Sequence, residues 1–251
     1  MKTSKPIKDS SFAVYGLGLT GNSVFEFLKK KNKKKIYTWD DKKNKNNKKK
    51  FNLFKKKLNE VDYIVISPGI NIKKTKFKSN LFRNRDKLIT DLDLFYMQKI
   101  PIKSIVITGT NGKSTTCKLI QHILKTNKLD AQLGGNIGKP ILDLKINQKS
   151  IVIIEASSFQ LSYAKFIKPN IAAILNISSD HLDWHNTIDN YKNSKFKIFS
   201  KQGSNNIALL SNINLIKLFK KKKYLSKLTI VKKKFLNNKI KKKIINNYLI
   251  S

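Results

Sequence analysis

"VITGTNGKSTT", residues 106–116, sets Lys113 and Ser114 directly after Gly112, as a phosphate-binding loop does, but the spacing is short. The usual G-x-x-x-x-G-K-[ST] pattern needs a glycine at position 107, where Ile107 stands; the nearest earlier one is Gly109. The flanks decide between a damaged motif and a different loop. "SIVIT" (104–108) is an apolar run of buried-strand type, and Thr116, Leu119, Ile120, Ile123 and Leu124 recur at helical spacing. A glycine loop between strand and helix turns backbone N–H groups and the positive end of a helix dipole toward phosphates. Gly109, Thr110, Asn111, Gly112, Lys113, Ser114 and Thr115 are therefore the candidate phosphate cradle, with Lys113 opposing terminal phosphate charge and the Ser114 hydroxyl available to Mg²⁺. An isolated G-K-S is more often a surface turn; the strand and the helix set this one apart.

A second strand–loop–helix unit lies upstream. Phe12 to Tyr15 has strand character, Gly16-Leu17-Gly18-Leu19-Thr20-Gly21 follows, and Val24, Phe25, Phe27 and Leu28 keep helical spacing. A G-x-G-x-x-G turn in this setting lets a diphosphate approach the backbone, although on its own it is also a common structural turn. The next strand, "KIYTWDD", carries Asp40 about 20 residues after the glycines, where an acid can accept from a ribose or base. "VDYIVISPGI" ends in Ser67-Pro68-Gly69, a turn at the ligand edge of the same sheet. "DKLITDLDLF" closes this first unit near residue 92.

Downstream, "QLGGNIGKP" (132–140) reads as a glycine-rich loop bearing Asn136, whose amide can bond a carbonyl or carboxylate. "SIVIIEASSFQL" is a strand ending in Glu155, followed by Ser157 and Ser158. A carboxylate there, beside a phosphate loop, suits Mg²⁺, which takes oxygen ligands and phosphates; the other reading is an N-cap acid on the next helix. "PNIAAILNISSDHLDWH" is a strand running into Asp180, His181, Asp183 and His185, either a catalytic edge or structural histidines. "YKNSKFKIF" (191–199) reads as helix, and composition alone does not single out its Lys195. Strands are also expected in "KLTIV" and "NNYLI" near the end.

The formal charge of +38 would suggest nucleic acid, but its distribution argues against a specific interaction. Residues 101–200 carry only +7, and the excess sits in lysine–asparagine runs such as 29–35, 42–50 and 219–223, which read as solvated faces in a chain with few arginines. One cysteine, Cys117, excludes a disulfide framework and fits a reducing, cytoplasmic setting. No apolar run approaches the ~20 residues of a membrane span. The mildly apolar start is broken by Gly16, Gly18 and Gly21 and lacks an A-x-A site, so it does not read as a signal peptide.

Taken in order, "GLGLTG", "SPG", "TGTNGKST" (108–115), "GGNIG", "EASSFQL", "DHLD" and the Y-x-x-x-K-x-x-I of 191–198 resemble the Mur ligases, ATP-dependent amino-acid ligases of peptidoglycan precursor synthesis, and most closely their D-glutamate-adding type. The short loop is the family's form. The resemblance implies an α/β protein: a Rossmann-like domain over residues 1–92 that binds a UDP-sugar, then an incomplete P-loop central domain over residues 93–251 that binds ATP. It implies that Gly18, Leu19, Thr20, Asp40, Ser67, Pro68, Gly69, Asn136 and Ser158 hold the sugar nucleotide. Lys113, His181 and Lys195 would be catalytic; Ser114, Glu155, His181 and Lys195 would serve Mg²⁺, with Lys195 carbamylated. The implied substrates are UDP-N-acetylmuramoyl-L-alanine, D-glutamate and ATP, joined through an acyl phosphate by an enzyme that is monomeric at full length. The family's third, amino-acid-binding domain has no counterpart before Ser251, so the chain is expected to be a truncated member that forms no adduct by itself. Two other readings remain at this level, a nucleotide-binding module without ligase activity and an NAD-dependent oxidoreductase, the latter supported by the N-terminal glycines alone.

Overall fold

The computed structural model describes residues 5–31 and 34–231 and contains two parallel sheets with helices on their faces. In the first, β1 (Phe12–Tyr15), α1 (Leu19–Lys31), β2 (Ile36–Trp39), α2 (Lys48–Glu60), β3 (Tyr63–Ile66), α3 (Lys78–Arg83) and β4 (Leu88–Ile89) give the strand order β2-β1-β3-β4. Every residue of β1 is buried, as a parallel strand covered on both faces requires. Its alternate side chains enter different cores. Phe12 and Val14 pack with Val24, Phe27 and Leu28 of α1; Ala13 and Tyr15 pack with Phe54 and Leu58 of α2, Phe77 and Leu81.

The helix α4 (Asp91–Met97) leads to the second sheet. Its Leu94 belongs to the first unit's core, whereas Leu92 and Phe95 belong to the second's, so residue 92 falls inside an element that both units share. The chain continues through β5 (Lys103–Thr108), α5 (Lys113–Thr126), β6 (Ala131–Gly135), β7 (Ile151–Glu155), α6 (Ser158–Tyr163), β8 (Ile171–Ile174), α7 (Leu182–His185), α8 (Ile188–Phe196), β9 (Ile207–Leu210), α9 (Ile213–Lys221) and β10 (Lys227–Ile230). All six strands run parallel in the order β10-β9-β8-β5-β7-β6. Val106, Val152, Ile154, Ala172 and Ile174 face the core built with α8 and α9, while Ile107, Ile153 and Ala173 face Cys117 of α5.

The expected strands and both loop–helix junctions are present, and "KLTIV" supplies β10; "NNYLI" lies outside the described residues. One element differs from expectation: Ala131–Gly135 is a strand, not a loop. Its glycines lower strand propensity but answer to crowding, since a Cβ on Gly134 would meet Lys139 O at 2.8 Å and one on Gly135 (φ +108°) would meet Glu155 O at 2.4 Å. Among the described residues, the lysine runs lie largely on exposed turns and helix surfaces, as expected. Among the described residues no helix is long and apolar enough to cross a membrane.

Candidate functional site

In an open parallel sheet, ligands gather where successive connections leave a strand in opposite directions, beyond the carboxyl ends of the strands. Strand β1 stands between β2 and β3, and β5 between β7 and β8, so each sheet has such a point beside one of the glycine loops. At the first, Gly16 takes φ +90°, and the α1 backbone comes so near the turn that a Cβ on Gly21 would lie 1.8 Å from Gly16 O. Ser67 Oγ donates to Gly16 O at 2.8 Å and joins the Ser-Pro-Gly turn to this loop. Asp40 accepts from Leu17 N at 2.7 Å and from Lys42 N and Lys43 N at 3.0 Å. Burial pushes its carboxyl up, but these backbone donors outweigh burial and hold it below the usual carboxylate range. Asp40 therefore clamps the turn as well as facing the ligand edge.

These groups line one cavity of about 380 Å³ between the two units. Gly18, Leu19, Thr20, Asp40, Ser67, Pro68, Gly69 and Asn136 all border it. Ser158 does not border it: its Oγ lies 3.0 Å from His185 Nε2, inside the second unit. Gln160 borders it and was not singled out from the sequence. A larger cavity of about 560 Å³, lined by Tyr96, Lys99, Asn170 and Asn206, sits at the opposite, N-terminal end of the second sheet and away from both loops.

At the second point the short loop leaves β5. Helices α2, α6, α8 and α9 start on side-chain caps from Asn47, Ser157, Thr187 and Asn212. Helix α5 starts on Gly112, at φ +79°, with no side-chain cap, so its first N–H groups stay available to an anion. Asn176, just after β8, shapes the loop: its Oδ1 accepts from Thr110 N at 3.1 Å and Asn111 N at 2.9 Å, and its Nδ2 donates to Asn111 O at 3.0 Å. Lys113 Nζ donates to Thr110 O at 2.8 Å. Thr115 follows Ser114 in the first turn of α5.

Glu155, 1% exposed at the end of β7, accepts from Ser114 Oγ at 2.7 Å and from Asn136 Nδ2 at 2.9 Å. It is not a helix cap; Ser157 caps α6. Asn136 thus reaches from the cavity to the carboxylate, and the carboxylate reaches the phosphate loop. The oxygens of Ser114 and Glu155 suit a hard cation, with the carboxylate held by a hydroxyl and an amide rather than by a basic side chain. Among the described residues no three His, Cys, Asp or Glu side chains gather tightly enough to hold a metal by themselves, so Asp180, His181 and Asp183 do not form a metal cage.

Lys195 lies nearby, 1% exposed, its Nζ donating to Gly109 O at 2.7 Å and lying 4.5 Å from the centre of the Tyr191 ring. Burial, reinforced by the charge on Lys113, pushes its ammonium down to about 7. Tyr191 also places its hydroxyl 3.1 Å from Thr110 Oγ1 and faces the His181 ring, 6.3 Å away centre to centre. His181 takes φ +51°, packs 4.8 Å from Phe159 and pairs with Asp180 at 3.4 Å. Asn176 was not singled out from the sequence, and Tyr191 and Gln160 stand in the quoted Y-x-x-x-K-x-x-I and EASSFQL motifs without a role; all three gain one when β8, α8 and α6 are placed around the loop.

A family model of the Mur ligase middle domain matches residues 107–249, and one of the MurD-like N-terminal domain of Mur ligases matches residues 10–84. The chain belongs to the Mur ligase family. It is 37% identical over 203 residues to the UDP-N-acetylmuramoylalanine–D-glutamate ligase of Aquifex aeolicus, covering 80% of this chain and 47% of that one. To the enzyme of the same name from Rickettsia bellii it is 39% identical over 215 residues, 81% of this chain and 46% of that one. This Mur ligase chain therefore spans about half the length of the relatives it matches. Among solved structures, the UDP-N-acetylmuramate:L-alanyl-gamma-D-glutamyl-meso-diaminopimelate ligase from Neisseria meningitides shares the fold, with a TM-score of 0.52 at 14% identity over 87% of this chain and 77% of that one. Nothing in this membership favours the oxidoreductase reading.

Proposed function

We propose that this chain carries the sugar-nucleotide and ATP sites of a ligase that joins D-glutamate to UDP-N-acetylmuramoyl-L-alanine in the cytoplasm. Residues 1–92 hold the UDP-sugar and residues 93–251 hold ATP. The observation that carries the reading is the continuous path from the cavity through Asn136 and Glu155 to Ser114, along which a ligand on the first loop would meet phosphates on the second. Relatives named for this reaction support the choice of substrates.

A carboxylate is a poor electrophile, so the reaction activates it with the γ-phosphoryl group of ATP before the amine of D-glutamate attacks and phosphate leaves. Both partners in the first step are anions, and the protein's task is to hold them together and offset their repulsion. The N–H groups at the start of α5 cradle the phosphates, and Lys113 exchanges its bond to Thr110 O for a terminal phosphate oxygen. Ser114 and Glu155 would hold Mg²⁺, which neutralises phosphate charge when bound. His181 and Lys195 would serve a second ion on the side of the acceptor carboxylate. As an ammonium, Lys195 would repel a metal, but held near 7 it is partly a neutral amine, having lost one proton, and can add CO₂: the Nζ–C bond forms, a second proton leaves, and an anionic carbamate stands where the cation was.

Calorimetry of the purified chain with UDP-N-acetylmuramoyl-L-alanine, Mg·ATP and NAD tests the reading. Binding of the first two is expected, and binding of NAD in place of the UDP-sugar would refute it.

A further inference from the structure

Asp91 is the first residue of α4, 2% exposed, and belongs to none of the groups discussed above. Its Oδ1 and Oδ2 accept from Gln160 Nε2 at 3.2 and 3.1 Å, across 69 positions of sequence. On the other side of the same carboxamide, Gln160 Oε1 accepts from Ser157 N at 3.2 Å and Ser157 Oγ at 3.1 Å. A carboxamide can be turned over with little change in shape, so its orientation is set by its neighbours. Here they allow one. The Ser157 N–H needs an oxygen, and the Asp91 carboxylate needs a donor. With its nitrogen turned toward Asp91, Gln160 spends one N–H on the pair of carboxylate oxygens and retains a second, in a side chain that borders the cavity between the glycine turns.

We propose that Asp91 is a positioning residue: by holding Gln160 Nε2 it makes the cavity wall present an N–H donor rather than a carbonyl, and so favours a ligand that brings an acceptor oxygen, such as a phosphate, carboxylate or sugar oxygen. This rests on the UDP-sugar reading of the cavity. Were the amide reversed, its oxygen would face the Asp91 carboxylate and repel it, and the Ser157 N–H would lose its acceptor. Leaving such a buried group unsatisfied is destabilising. Asp91 also stands on the helix shared by the two cores, so the donor's direction is referred to the first unit as well as the second.

Burial pushes the Asp91 carboxyl up to about 6, against the Gln160 N–H that favours its ionised form, and the charge of Asp93 on the same helix adds a smaller upward push. Lys165 and Lys197 lie toward Asp93, which also accepts from Thr90 N, Lys165 N and Phe166 N, so the neighbouring cations act on Asp93. Below pH 6 the protonated Asp91 offers a single weaker acceptor and the grip on Gln160 loosens.

Two measurements on the whole chain decide the matter. In the first, the side-chain amide resonances of Gln160, assigned by their loss in Gln160→Met, are followed against pH. They should move with a midpoint near 6 and stop doing so in Asp91→Asn; amide resonances indifferent to that substitution would overturn the proposal. In the second, the UDP-sugar dissociation constant is measured at pH 8 for Asp91→Leu, Gln160→Met and the double variant. Asp91→Leu is expected to weaken binding roughly tenfold, Asp91→Asn less because it keeps an acceptor, and the double variant no more than Gln160→Met alone. Multiplying effects would show that Asp91 acts otherwise than through Gln160. A wild-type chain that ignores the UDP-sugar would sink the substrate assignment, while the resonance measurement would still decide whether Asp91 orients Gln160.

Discussion

Lys195 is a cation in surroundings that disfavour one. Its folded-state value near 7 lies below the ordinary lysine value of 10.5, so the cost of burying its charge is full below about pH 7 and fades as pH rises toward 10.5. In CO₂-depleted buffer, the urea midpoint should therefore climb between pH 7 and 9, and Lys195→Met should flatten the climb; an unaltered slope would mean that Lys195 is not the source. Adding ¹³C-bicarbonate should produce a carbamate carbon resonance that is absent in Lys195→Met. Lys113 rests its ammonium on a loop carbonyl, Thr110 O at 2.8 Å, from which it can transfer to a phosphate. Replacing it with alanine removes a charge-assisted contact worth about 1.5–3 kcal/mol, so Mg·ATP should bind roughly 10- to 100-fold more weakly by calorimetry, with UDP-sugar affinity retained.

At the scale of elements, the approach of α1 to its turn depends on the missing side chain of Gly21, since a Cβ would lie 1.8 Å from a backbone oxygen that cannot move aside. Gly21→Ala should cost about 1–3 kcal/mol by overpacking, which thermal unfolding registers as roughly 2–4 °C per kcal/mol in a chain of this size, and should weaken UDP-sugar binding. Gly21 was legible in the sequence because a strand pattern precedes it and a helix pattern follows. The same holds for β1, β3, β5, β7 and β8, whose apolar runs reflect burial on both faces, and for Glu155 at a strand's end. β6 was not legible: Gly134 and Gly135 are there for close approach, and the pattern of a turn looks the same. The roles of Asn176, Tyr191, Gln160 and Asp91 were hidden for another reason. Their residue types are common, and what distinguishes them is a partner some 65 to 81 positions away, which no local periodicity encodes.

Over the whole molecule, the charge is +38 and most lysines among the described residues are exposed, so long-range attraction for polyanions should be strong at low salt and unspecific. Retention on single-stranded DNA is expected to collapse as ionic strength rises past about 0.15 M, where the Debye length is about 8 Å, while UDP-sugar binding within its cavity persists. DNA binding that survives high salt would overturn this reading of the charge. The order of strands also bears on how the molecule comes into being. Every strand pair of the first sheet is available once Ile89 has been made, whereas β5 ends at Thr108 and its second neighbour, β8, ends at Ile174. At synthesis rates of about 5–20 residues per second, β5 leaves the ribosome with both edges open until β7 is made and with one open until β8 follows, on the order of several seconds in all. Its Ile105, Val106 and Ile107 are then the apolar segment most in need of a chaperone, and the time at risk is set by the position of β8 in the chain rather than by the stability of the finished sheet.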